Sequence, residues 1–246
     1  MSAAPQGEGL AGRLTRRVAE RIIRGDLRRG LRRVVWAGPA LTDPAPGRPL
    51  VLYANHHYFP DSYLLWHLTT QALGRPMLVW MEAWEQAPMF GPVGALPFPA
   101  DDARQRVRTV RETARRLADD PRAALYLYPE GHLSVPDDGL QPFRADLSRL
   151  ARVLPAVTWW PVGIHVSWWG ESRPTAVLAA GDPHDAVDGD ERQRLAAALA
   201  RAQAVRPEDV EAGRACVVLD GAAGADERWD LSRLAPLFQR MTFRDG

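Results

Sequence analysis

The stretch NHHYFPD, residues 55–61, decides how this chain is read. It follows the apolar run PLVLYA, residues 49–54, which predicts a short buried strand. It leads into a helical pattern that opens at Asp61 and sets Leu64, Leu65 and Leu68 on one side. The junction is therefore a strand-to-helix turn holding a histidine and an aspartate five positions apart. On a continuous helix that offset turns through about 500° and leaves His56 and Asp61 roughly 140° apart. They meet only if the chain turns between them. Pro60 favours such a turn, because it disfavours helix at Phe59 and fits the start of a new helix with Asp61 in its first turn. An Asp61 carboxylate that accepts the Nδ1 proton of His56 leaves Nε2 free as a general base and stabilises the imidazolium that forms.

Three later segments follow in order: MFGPVGALPFPADD at residues 89–102, LYLYPEGHLS at 125–134 and WWPVGIHV at 159–166. Together with ANHHYFPDS they resemble the glycerolipid acyltransferases, whose best-known members are the 1-acylglycerol-3-phosphate acyltransferases, over roughly residues 45–180. His-(x4)-Asp alone is a weak signal; with Pro129-Glu130-Gly131 and the strand at Pro161, Val162 and Ile164 in sequence it becomes fairly specific. The resemblance implies a mixed sheet flanked by helices and transfer of a fatty acyl group from acyl-CoA or acyl carrier protein to a lipid hydroxyl. It also implies His56 and Asp61 as the catalytic pair and no bound cofactor beyond the thioester co-substrate. Asn55, Glu130, Gly131, His132 and Arg144 form the candidate substrate-binding set, with Asn55 bracing the turn and Glu130 accepting hydrogen bonds from the acceptor. No recognised metal-ligand spacing links His56, His57, Glu130 and His132. A non-catalytic lipid-binding protein on the same fold and a thioester hydrolase are the alternative readings.

The departures shape the expected acceptor. The family continues Glu-Gly with Thr-Arg-Ser, the arginine being placed for a phosphate, whereas here Glu130-Gly131 leads into His132-Leu133-Ser134. The basic end of the second segment is replaced by Pro99-Ala100-Asp101. With both anchors missing, an acceptor other than lysophosphatidic acid is expected, such as an uncharged hydroxyl; Arg144, Arg104 and Arg106 are the candidate substitutes for the lost charge.

At 246 residues and 46% hydrophobic content the chain supports one substantial core. The single Cys216 excludes an internal disulfide and a cysteine metal cluster. Net charge is only +1, yet nine arginines against Glu20 and Asp26 crowd residues 13–33. Leu14, Val18, Ile22, Ile23, Leu27, Leu31 and Val34 recur beside them at mostly helical intervals, predicting a basic amphipathic helix. Such a helix lies in a bilayer interface, with Trp36 at the boundary, or packs on the domain with a solvated basic face. No nucleic-acid signature accompanies the arginines, so nucleic acid is not an expected partner. The longest apolar tract, residues 153–169, is interrupted by Pro155, Pro161 and Gly163 and is too short to span a bilayer. The amino terminus lacks a secretory pattern, so the expected location is cytoplasmic and peripheral on the inner face of the cell membrane.

Strands are expected at 50–54, 77–81, 94–98, 123–128, 160–167, 175–180 and 214–219, and helices at 61–72, 102–119, 143–154, 190–204 and near 230–242. The alternation predicts an α/β sandwich. The resemblance implies that residues 41–246 form an acyltransferase-like domain with a mixed sheet flanked by helices, and residues 1–40 are expected to be the amphipathic membrane-contact segment.

Overall fold

The computed structural model describes residues 9–144 and 146–225; the helix expected near 230–242 lies outside them. Eight strands form one mixed sheet in the order β4-β3-β5-β2-β6-β7-β1-β8. Five of them are mutually parallel: β4 (Ala95–Pro97), β3 (Met77–Met81), β5 (Ala124–Leu127), β2 (Leu50–Ala54) and β6 (Thr158–Ser167). The remaining strands β7 (Thr175–Ala180), β1 (Arg33–Trp36) and β8 (Cys216–Asp220) complete the sheet. β7 is antiparallel to β6, β1 is parallel to β7, and β8 runs against β1.

Strand β2 is buried at every position, as a central parallel strand covered on both faces must be. Its alternate residues serve two cores. Leu50, Leu52 and Ala54 meet α1 (Leu10–Gly30) through Ile23 and Leu27, and α2 (Asp61–Trp66) through Leu64 and Leu65. Val51 and Tyr53 face α3 (Ala103–Asp119) at Leu117, α4 (Leu147–Ala151) at Leu147 and α5 (Glu191–Ala204) at Leu195. A short helix α6 (Pro207–Glu211) leads to β8. α5 lies so close on β6 that a Cβ at Gly163 would come within 2.4 Å of the Leu199 nitrogen, which only glycine avoids.

After Trp66 the α2 helix widens into a π turn, His67–Ala72. The Thr69 hydroxyl donates to the carbonyls of Leu65 and Trp66, and that of Thr70 donates to Trp66, so hydroxyls share acceptors with the helix backbone. At the far edge of the sheet the buried Arg75 clamps Asp43 with two guanidinium nitrogens, at 3.0 and 2.7 Å, and donates to the carbonyls of Ala45, Arg48 and Arg122.

The expected strands occur within two residues of their predicted ends, while four expectations are corrected. The amphipathic helix stops at Gly30; Val34, which the helical period had absorbed, belongs to β1. Trp36, expected at a membrane boundary, is buried in β1 and packs on Trp160 with ring centroids 5.7 Å apart. A boundary at residue 40 therefore has no structural counterpart, because β1 pairs within the sheet and Ala19, Ile23 and Leu27 belong to its core. The helix expected at 143–154 shortens to Leu147–Ala151, since the Asp146 carboxylate caps it by accepting the Arg149 N–H.

Candidate active site

The carboxyl ends of β2 and β5 lie side by side, and the loops that leave them build the site. Ligand crevices in open α/β sheets form at such strand ends.

Asn55 continues β2 by one residue and replaces ladder bonding with its side chain. Its Oδ1 accepts the Ile164 N–H at 2.8 Å and its Nδ2 donates to the Ile164 carbonyl at 2.9 Å, pinning the turn to β6. Nδ2 also lies 3.2 Å from His57 Nδ1. An amide nitrogen only donates, so that ring nitrogen is the acceptor and His57 carries its proton on Nε2. His57 is buried beside Asn55 and braces the turn from inside.

Pro60 starts the next helix and puts Asp61, fully buried, in its first turn. A single oxygen, Oδ2, accepts the N–H groups of His57 at 2.8 Å and Tyr58 at 2.9 Å and lies 3.2 Å from His56 Nδ1. The carboxylate thus shapes the turn and orients the imidazole at once. About a fifth of the His56 side chain is exposed, and its Nε2 has no hydrogen-bond partner among the described residues.

Glu130, at the end of β5, is fully buried and faces the protein. Its Oε1 accepts the His56 backbone N–H at 3.0 Å and its Oε2 accepts the Gln141 N–H at 2.7 Å. Expected to receive an acceptor hydroxyl, it instead holds His56 and the 139–142 loop together, with both oxygens occupied. Ser134 N–H donates to the His56 carbonyl at 2.9 Å, so His56 is gripped through its backbone on both sides. Gly131 adopts φ +71°, the left-handed conformation that turns the chain after Glu130. The Arg144 stem lies against Gly131, and its backbone N–H donates to Pro129 O at 2.8 Å. His132 Nδ1 sits 2.9 Å from Glu130 O, half-exposed. The structure therefore brings His56, Asp61, Asn55, Glu130, Gly131, His132 and Arg144 to one corner. Arg104 and Arg106 lie on α3 instead, with Arg106 over the Phe98 ring.

Sequence reading missed Tyr128. Its ring stacks on that of His56, with centroids 4.0 Å apart and planes 12° from parallel. Its hydroxyl lies 3.2 Å from Ser62 Oγ, and burial pushes the phenol well above its usual pKa, so the ring stays neutral. The alternation of Leu125, Tyr126, Leu127 and Tyr128 carried the signal, because Tyr126 and Tyr128 share one face and both reach Ser62.

Beside the turn lies a cavity of about 320 Å³ lined mainly by Leu27, Leu31, Tyr58, Leu64, Val166 and Trp168. That is the size range of small-molecule pockets. Trp168 and Phe59 stand 65% and 77% exposed, and Leu133 and Val135, next to Ser134, are also exposed. Among the described residues no three His, Cys, Asp or Glu side chains cluster to hold a metal ion, and no helix is long and apolar enough to cross a membrane.

No protein-family model matches the chain, and no curated protein matches it.

Proposed function

We propose that the protein is an O-acyltransferase that moves a fatty acyl group from an acyl thioester to the hydroxyl of a lipid. The observation that carries this reading is the oriented His56: Nδ1 faces the buried Asp61 carboxylate, while Nε2 has no hydrogen-bond partner among the described residues. Nε2 removes the proton of the acceptor hydroxyl as its oxygen attacks the thioester carbonyl carbon. The tetrahedral intermediate collapses with cleavage of the C–S bond, and His56 returns the proton to the departing thiolate, yielding ester and free thiol. Asp61 stabilises the imidazolium between the two transfers. The cavity between α1 and the turn suits the acyl chain.

No arginine occupies the position after His132, and Leu133 there is half exposed. An acceptor with an uncharged headgroup fits this better than lysophosphatidic acid. Leu10, Leu14 and Val18 form an exposed apolar stripe on the first turns of α1, and arginines lie to either side along the helix. Such a face suits peripheral attachment to an anionic bilayer on the cytoplasmic side. Replacing Leu14 and Val18 with Asp is expected to reduce flotation with anionic vesicles.

The reaction is tested by following thiol release from long-chain acyl-CoA and acyl carrier protein in detergent, with no acceptor, lysophosphatidic acid or neutral hydroxylated lipids. Acceptor-dependent release that His56→Ala abolishes supports the proposal. Release without acceptor indicates a hydrolase, and no release from either donor would overturn the enzymatic reading in favour of a lipid-binding protein.

A further inference from the structure

Helix α3 descends from the edge of the sheet that carries the site. It follows β4, whose carboxyl end lies on the same side as those of β3, β5 and β2, and its return leads into the amino end of β5. Its first turns therefore sit at the catalytic edge and its last turns at the opposite one. Between β4 and β2 are three strand spacings, about 14 Å.

Charge is distributed unevenly along this helix. In its last turns Arg115 pairs with Glu112 and Asp119, and Arg116 pairs with Glu112. Arg104, Arg108 and Arg111, at successive positions on one exposed stripe with the half-exposed Val107 among them, enter no ion pair among the described residues. Arg106 projects to the side, over Phe98, which stacks on Trp80 at 4.6 Å. The first turn of α3 holds no acidic residue, so Arg104 and Arg106 oppose the helix dipole. Asp102, just outside, uses its carboxylate to cap the Gln105 N–H. The last turns are thus internally paired, whereas Arg104, Arg108 and Arg111 on the exposed stripe have no ion-pair partner among the described residues, Asp101 and Asp102 lying just before the helix.

We infer that the face of α3 formed by Arg104, Val107, Arg108 and Arg111 is the docking surface for an acidic acyl carrier protein, which delivers the thioester to His56 on its phosphopantetheine arm. The inference rests on the acyl-transfer reading and names its donor. Arginines spread along one exposed helix stripe, with an apolar residue among them, match an acidic helical face, whereas a nucleotide phosphate of coenzyme A calls for donors converging in a pocket. Complementary charge of this kind steers encounter and fixes orientation. The flexible arm then spans the distance between the docking face and the site.

The experiment compares the wild type with Arg104→Glu/Arg108→Glu, both residues being exposed and outside the catalytic corner. Binding of holo acyl carrier protein is measured by calorimetry without turnover, and turnover is measured with acyl carrier protein and acyl-CoA donors. The expected result is carrier binding that weakens at least tenfold in the variant and a KM for the carrier-bound donor that rises to match. kcat and the KM for acyl-CoA stay within twofold. Carrier binding without turnover from either donor would sustain the surface while refuting the acyl-transfer reading. Turnover of acyl-CoA with no carrier binding, an equal loss with both donors, or a variant that loses only anionic-vesicle binding would each overturn the docking assignment.

Discussion

The imidazole of His56 lies flat on the ring of Tyr128, 4.0 Å away and within 12° of parallel, while its edge faces Asp61. The carboxylate fixes one nitrogen; the stack fixes the plane. Aromatic contacts of this kind contribute about 0.5–1.5 kcal/mol, and a cation over a neutral ring gains further when the imidazole is charged. Tyr128→Phe keeps the ring and is expected to retain kcat within about threefold. Tyr128→Leu is expected to lower kcat roughly tenfold with little change in KM. Independently of turnover, ring-current shifts of the His56 protons in NMR spectra should survive in the Phe variant and vanish in the Leu variant. Equal behaviour of the two variants would deny the stack its role.

Asp61 serves three N–H groups through one oxygen, so its replacements separate two roles. Asp61→Asn preserves volume but removes the charge that compensates the imidazolium, and kcat is expected to fall by about 10²–10⁴ with KM nearly unchanged. Asp61→Ala also strands the buried N–H groups of His57 and Tyr58, adding about 1–3 kcal/mol of destabilisation per group. Urea titration beside steady-state kinetics checks both, and an Asn variant of full activity would remove Asp61 from the mechanism.

Arg75 holds the opposite edge of the sheet, far from the chemistry. Arg75→Met removes a buried charge that satisfies Asp43 and three carbonyls. Breaking a buried pair costs about 3–5 kcal/mol, discounted here because Asp43 is a third exposed, so a loss of roughly 2–3 kcal/mol is expected in denaturant. Activity per folded molecule should remain.

His67 and His165 give stability a slope in mild acid. Burial first, then nearby positive groups, holds both below the ordinary value of 6.5; for His67 the Val218 carbonyl opposes this, and Arg24 and Arg28 add to it. For His165 the added charge is that of Arg206. A depressed folded-state value means that the unfolded chain binds protons first as pH falls. The stabilising contribution is complete above about 6.5 and is lost below it, toward the folded values. Stability measured from pH 7.5 to 5 is expected to fall, and His67→Gln with His165→Gln should flatten that slope. An unchanged slope would assign it to other groups.

Much of this arrangement was legible in the sequence because local chemistry and tertiary packing agree. Residues 50–54 form a buried strand, Pro60 starts a helix, and Asp61 returns to His56 as the turn geometry required. β1 was illegible because Val34 and Leu31 also satisfy a helical period, and only pairing with β7 and β8 makes the segment a strand. The role of Glu130 was illegible for another reason. Its partners are the backbone N–H groups of His56 and Gln141, and backbone groups carry no residue-type signal. Tyr128 looked like strand filler until the β2–β5 register set its ring beside His56.

The place of β1 also bears on how the molecule is made. Of the described strands it is the first to leave the ribosome, yet both of its neighbours, β7 and β8, are the last two to be synthesised. During translation the amino-terminal helix and strand must wait with apolar side chains uncovered, and the sheet closes only after nearly all of the described chain has emerged. Pairing over so great a separation is slow and leaves time for wrong association. Docking of β1 between β7 and β8 is therefore expected to be a late step of folding.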